Sequence, residues 1–96
     1  MSEDFDKAVE VIREKAAGSG LEGRYKFEIE GEGVILIDNG SVSTEDGEAD
    51  VTISAPLETF REMFEGDLAP TAAFMTGKIR IEGDMGAAMK LSSLIG

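Results

Sequence analysis

Residues 49–95 read ADVTISAPLETFREMFEGDLAPTAAFMTGKIRIEGDMGAAMKLSSLI. Val51, Ile53 and Ala55 alternate with Thr52 and Ser54, the period of two that marks a strand with one buried face. At Pro56 the pattern changes. Leu57, Phe60 and Phe64 recur at three- and four-residue spacing, with Met63 on the flank, which is one face of a helix. Pro56 suits the first turn of that helix, which runs to Glu65, and Gly66 stops it. Pro70 opens a short helix that Gly77 closes. Ile79 and Ile81 then alternate with Lys78, Arg80 and Glu82 as a further strand, and Asp84 N-caps a last helix carrying Met85, Ala88, Met89, Leu91 and Leu94.

Upstream, Phe5, Ala8, Val9, Ile12 and Ala16 form the apolar stripe of an amphipathic helix over 3–17, with Lys7, Glu10, Arg13 and Glu14 outside. Ser2 is its expected N-cap, Glu3 and Asp4 suit the positive helix start, and Gly18 ends it. Residues 18–23, GSGLEG, are a loop. Tyr25, Phe27 and Ile29 then alternate with Lys26, Glu28 and Glu30 as a half-buried strand. Gly31-Glu32-Gly33 turns the chain into a second strand at 34–38, and Asn39-Gly40 is a strong hairpin sequence leading to a short strand near 41–44. These elements predict a single α+β domain spanning residues 1–96. Its five-stranded sheet is expected to be mostly antiparallel, with the helices packed mainly on one face.

Composition narrows the function. The chain has 96 residues, 20 acids against 9 bases, a formal net charge of −11, and no His, Cys or Trp. Without His or Cys the usual general bases, nucleophiles and transition-metal ligands are missing, so no enzymatic activity, cofactor or metal is expected. The acidic field repels nucleic acid. The acid-rich stretch Glu45–Asp50 reads as a solvated hairpin: a calcium loop starting at Asp38 would need oxygen ligands at Gly40 and Val42. Gly31-Glu32-Gly33 lacks the third glycine of a dinucleotide loop, and Gly77-Lys78 lacks the rest of a phosphate loop. The absence of cysteine and the acidic start MSEDFDKAVE point to a cytoplasmic protein. Residues 1–50 hold 14 of the acids and 5 of the bases, so contact with membranes or enzymes is expected from the second half.

The helical segments are rich in Phe and Met, which fill irregular space and re-pack around variable apolar partners. Ile12, Phe60, Phe64, Phe74, Met75, Met85 and Met89 are the candidates to line an apolar cavity. Simple core packing is the competing reading of the same residues, and the residues alone leave both open.

The second half resembles the sterol carrier protein 2 domain family of non-enzymatic lipid-binding and lipid-transfer modules. The resemblance runs through Ala49-Asp50-Val51-Thr52-Ile53, Phe60, Met63, Gly66, Pro70, Ala73-Phe74 and Gly77-Lys78-Ile79. It continues through Ile81, Gly83-Asp84-Met85-Gly86 and Ala88-Met89-Lys90-Leu91. The first half matches through Tyr25–Ile29, Val34–Ile37 and Asn39-Gly40. Two departures stand out. Family members in peroxisomes continue past the last helix into a tunnel-covering segment and a targeting tripeptide, whereas this chain reads Leu94-Ile95-Gly96; the resemblance therefore implies a minimal, stand-alone, prokaryotic-like member. A Trp often precedes the second strand in the family; Gly33 stands near that place, which is expected to enlarge the cavity.

The resemblance implies reversible binding of a lipid (sterol, fatty acid or acyl-CoA, phospholipid or isoprenoid) and its transfer or presentation to an enzyme, with transient membrane or enzyme contact. The alternative is an interaction or oligomerisation module of a lipid-metabolism enzyme complex. For that reading Val34 and Leu36, on the sheet face opposite Ile35 and Ile37, form a candidate homodimer patch.

Overall fold

Alternation of apolar and polar side chains places Tyr25, Phe27 and Ile29 in the core from a strand, β1, running Arg24–Glu30. The computed structural model describes residues 3–95, so the Ser2 cap lies outside the described residues. A helix, α1 (Glu3–Ala16), precedes β1 and buries the Phe5, Ala8, Val9, Ile12 and Ala16 stripe. β2 (Gly33–Asp38) returns antiparallel to β1, with Phe27 opposite Ile35 and Tyr25 opposite Ile37. Asn39 (φ 49°) and Gly40 (φ 90°) both take the left-handed backbone that a tight two-residue hairpin demands, and β3 (Ser41–Ser43) follows.

The chain then crosses to the far side of β1. β4 (Val51–Pro56) pairs with β1 in parallel, Phe27 against Ile53 and Ile29 against Ala55, and β5 (Arg80–Gly83) pairs antiparallel with β4. The sheet order is β3-β2-β1-β4-β5, mostly antiparallel with one parallel pair at its centre. Pro56 belongs to the end of β4, not to the helix: it holds extended backbone (φ −66°, ψ 155°) and precedes α2 (Leu57–Phe64). α3 (Pro70–Met75) has the proline at its first turn, and α4 (Met85–Ile95) is capped by Asp84, whose Oδ1 accepts from the Gly86 N–H at 2.9 Å. Buried side chains from all four helices join Tyr25, Phe27, Ile35, Ile37, Val51 and Ile53 in one core cluster.

Two expectations about the sheet are corrected. Leu36 is buried, because residues 44–50 cross the opposite sheet face over it: a Cβ on Gly47 would lie 3.3 Å from Leu36 Cδ2. Lys26 Nζ anchors the crossing to Asp46 Oδ1 at 2.7 Å. With Leu36 covered and Val34 half-buried, the two do not form an open apolar patch. Nor does Gly33 open space. The ring of Phe5 lies over it, Cζ 3.2 Å from where a Cβ would stand, so an aromatic from α1 fills the place.

Asp50 ties the strand ends together. Its N–H donates to the Arg24 carbonyl (2.9 Å), its carboxylate accepts from the Arg24 N–H (3.3 Å), and its carbonyl accepts from the Asp84 N–H (2.9 Å). Gly83, at φ 112°, passes so close that an added Cβ would fall on that carbonyl and on Val51 Cα. Gly83→Ala is expected to lower stability by about 2 kcal/mol or more, from backbone strain and overpacking together, as read by urea unfolding. The hydrogen bond from Lys26, helped by the Gly47 N–H and the lysine charge, holds the Asp46 carboxyl below its ordinary pKa of 3.8. A depressed pKa contributes stability that is present above 3.8 and lost as pH falls through the lower native value. Asp46→Asn is therefore expected to be less stable than the parent at neutral pH. The difference should close under acid, which paired melts across pH would follow.

Candidate functional site

The helix seam between α1 and α2 leaves a pocket lined by apolar side chains. Ala8 and Val11 of α1 face Leu57 and Phe64 of α2 across a pocket of about 180 Å³. The pocket exists because short Ala8 and Val11 cannot span the gap that Leu57 and Phe64 leave. Charge rims it: Asp4 and Lys7 on one side, Arg61 and Glu65 on the other. Arg61 Nη2 reaches Asp4 Oδ2 at 2.8 Å and clasps the two helices, although so exposed a pair contributes only about 0–1 kcal/mol.

Phe64 forms the inner wall. Its ring stacks on Phe60 (centroids 6.1 Å apart, planes at 25°), and both meet Phe27 of the sheet edge to face, at 6.4 and 5.4 Å. The pocket thus abuts an aromatic trio that leads into the core. A wider depression of about 560 Å³ lies between the 19–22 loop and α4, but Lys15, Glu22, Lys90 and Ser93 make it polar and open to water. An acyl chain gains little there, so the smaller apolar pocket is the better candidate. Among the described residues no three Asp or Glu side chains converge to hold a metal. No described helix is long and apolar enough to cross a membrane.

The structure does not gather the seven cavity candidates into one enclosure. Ile12 and Phe60 are fully buried in the packed core, and Phe64 alone lines the α1–α2 pocket. Phe74, Met75, Met85 and Met89 are 45%, 79%, 51% and 72% exposed on α3 and α4. The reason is local. α3 and α4 turn Ala73, Ala87, Ala88 and Leu91 inward, and the long side chains of the opposite faces point out. Val11 and Arg61 were missed among the candidates; Val11 stands three residues beyond Ala8, beside the predicted stripe, a spacing that marks it as a second apolar edge of α1.

Known proteins share this β3-β2-β1-β4-β5 sheet with its four helices. The crystal structure of sterol carrier protein 2 like 2 from Aedes aegypti superposes with a TM-score of 0.81, at 22% identity over 94% of each chain. Aedes aegypti sterol carrier protein-2 in complex with the C16 fatty acid palmitate gives 0.79, at 21% identity over 100% of this chain and 97% of that one. Residues 5–96 match the model of the SCP-2 sterol transfer family, and the chain belongs to that family. In sequence it is 40% identical over 98 residues to hydroxysteroid dehydrogenase-like protein 2 of Xenopus tropicalis, matching over 94% of this chain and 24% of that protein. The chain thus spans about a quarter of the length of the curated relatives it matches. These relatives are animal proteins and give no support to a prokaryotic-like origin.

Removing Phe60, which has no exposure, is expected to cost roughly 3–5 kcal/mol. Phe64→Ala extends a void that already exists, so its penalty should fall clearly below that of Phe60→Ala, toward about 2 kcal/mol, in the same urea titration.

Proposed function

We propose that this chain binds the apolar body of a lipid reversibly and transfers it or presents it to an enzyme, without catalysis of its own. The observation that carries the reading is the α1–α2 pocket ending on the Phe64–Phe60–Phe27 trio, in a member of a lipid-carrier family. At about 180 Å³ it is smaller than the roughly 300–1,000 Å³ that drug-sized ligands occupy, so uptake must widen it. Phe64 is the side chain to move. It is half-buried at the edge of the core, and its displacement extends the pocket toward Phe60. In this reading the helices lie mainly over the sheet face that carries Phe27 and Ile53, as their shared core supports.

Burying a 16-carbon chain is favourable by on the order of 12 kcal/mol relative to water, at ~0.8 per methylene. A lipid leaving a bilayer gains almost none of this, since it was already in an apolar medium. Affinity measured against a membrane is then slight, which suits exchange. Sterols, fatty acids, acyl-CoAs, phospholipids and isoprenoids all fit the class; the palmitate bound by the mosquito relative makes a fatty acid the first probe. A cysteine-free chain suits the reducing cytoplasm, where we place it.

The names of the curated relatives favour a second reading. In them this domain is a fraction of a dehydrogenase-like protein, which fits a module that assembles with, or serves, an enzyme of lipid metabolism. Native mass spectrometry of freshly purified protein and titration with a fluorescent fatty acid separate the two. One lipid per chain, with Phe64→Ala shifting preference to bulkier ligands, is the expected result. A lipid-free stable dimer that takes up no probe would favour the second reading.

A further inference from the structure

All four large apolar side chains that stand exposed among the described residues belong to two neighbouring helices, α3 and α4. Met85 and Met89 lie one turn apart on one side of α4, opposite the inward Ala87 and Leu91. Phe74 and Met75 end α3 beyond the inward Ala73. Exposed apolar residues scattered singly need no explanation, but their confinement to two contacting helices does. Three of the four are methionines, whose unbranched, polarizable chains adapt to a fluid apolar phase.

Charge is distributed to match. Residues 68–96 carry Lys78, Arg80 and Lys90 against Glu82 and Asp84, whereas residues 1–67 carry 18 acids and 6 bases. Lys90 follows Met89 directly and Lys78 stands three residues beyond Met75; both are exposed. Lys78 and Arg80 also border a groove with Glu30, Glu58 and Glu62, so Lys90 is the base least offset by acids.

We propose that α3 and α4 form a docking face for a phospholipid bilayer. Phe74, Met75, Met85 and Met89 enter the boundary between headgroups and acyl chains, while Lys90 and Lys78 meet lipid phosphates. The acidic remainder faces water, which fixes the orientation and keeps the contact brief. The inference stands on this patch and does not depend on the α1–α2 pocket.

The test is flotation of the whole chain with phosphatidylcholine vesicles. The parent should float with the vesicles. Met75→Asp and Met89→Asp, both at exposed positions, should melt like the parent yet lose roughly ten-fold or more of the partition. Glu48→Gln, at an exposed position on the acidic crossing, should float unchanged. Loss of partition in the aspartate variants with fatty-acid uptake intact in vesicle-free solution supports the docking face and separates it from the pocket. A parent that does not float, or aspartate variants that float equally well, would overturn the proposal. So would sedimentation showing a dimer that Met75→Asp dissociates, since the patch would then belong to a second copy.

Discussion

The parallel pairing of β1 with β4 is the constraint on which the rest of this domain depends. Once β1, β2 and β3 have formed a meander, the chain ends at one edge of the sheet and must return to the other side of its first strand. It does so by crossing the sheet face, and the crossing segment is acidic and tied down by Lys26. That passage covers Leu36. The register follows from burial: Tyr25 beside Val51, Phe27 beside Ile53 and Ile29 beside Ala55 put every apolar side chain of the pair on the same side.

Size decides how the helices contribute to the core. α1 and α2 meet the sheet with Phe5, Ile12, Phe60 and Met63, large residues that fill the centre. α3 and α4 contribute Ala73, Ala87, Ala88 and Leu91 to the core, and their long side chains stand exposed. The phenylalanines and methionines that looked equivalent in composition therefore divide into two populations. One is packed in the core, with Phe64 at its edge lining a small pocket, and one stands on the surface. A single stretch of chain supplies both, because α2 presents its bulky face to the core and α4 presents its slim one.

Local chemistry was readable wherever one element determines it. The alternation in β1 and β4, the Asn39-Gly40 turn, the Asp84 cap and the stripe of α1 all stand in the structure as the residues imply. What was not readable depends on a partner distant in sequence. Leu36 is covered by Gly47 and Gly33 is filled by Phe5. No local pattern in β2 announces either contact. Pro56 shows the same limit at shorter range: its fixed φ serves a strand end as well as a helix start, and pairing with Glu30 decided between them. The outward Met85 and Met89 could have been found from the helical spacing of α4, since Ala87, Ala88 and Leu91 share the opposite side. The pocket itself needed the relative placement of two helices, which neither sequence segment contains.

The sheet's margins have a further consequence. Its edge strands are its shortest, three residues in β3 and four in β5, and each is bracketed or interrupted by polar groups: Ser41 and Ser43 on one, Arg80 and Glu82 on the other. An edge strand is a row of unpaired amides and carbonyls that can template strand addition from another chain, and length and flatness are what make it dangerous. The longer strands, β1, β2 and β4, are all interior to the sheet. A domain that keeps greasy side chains on its surface is thereby protected against growing into fibrils along its strands.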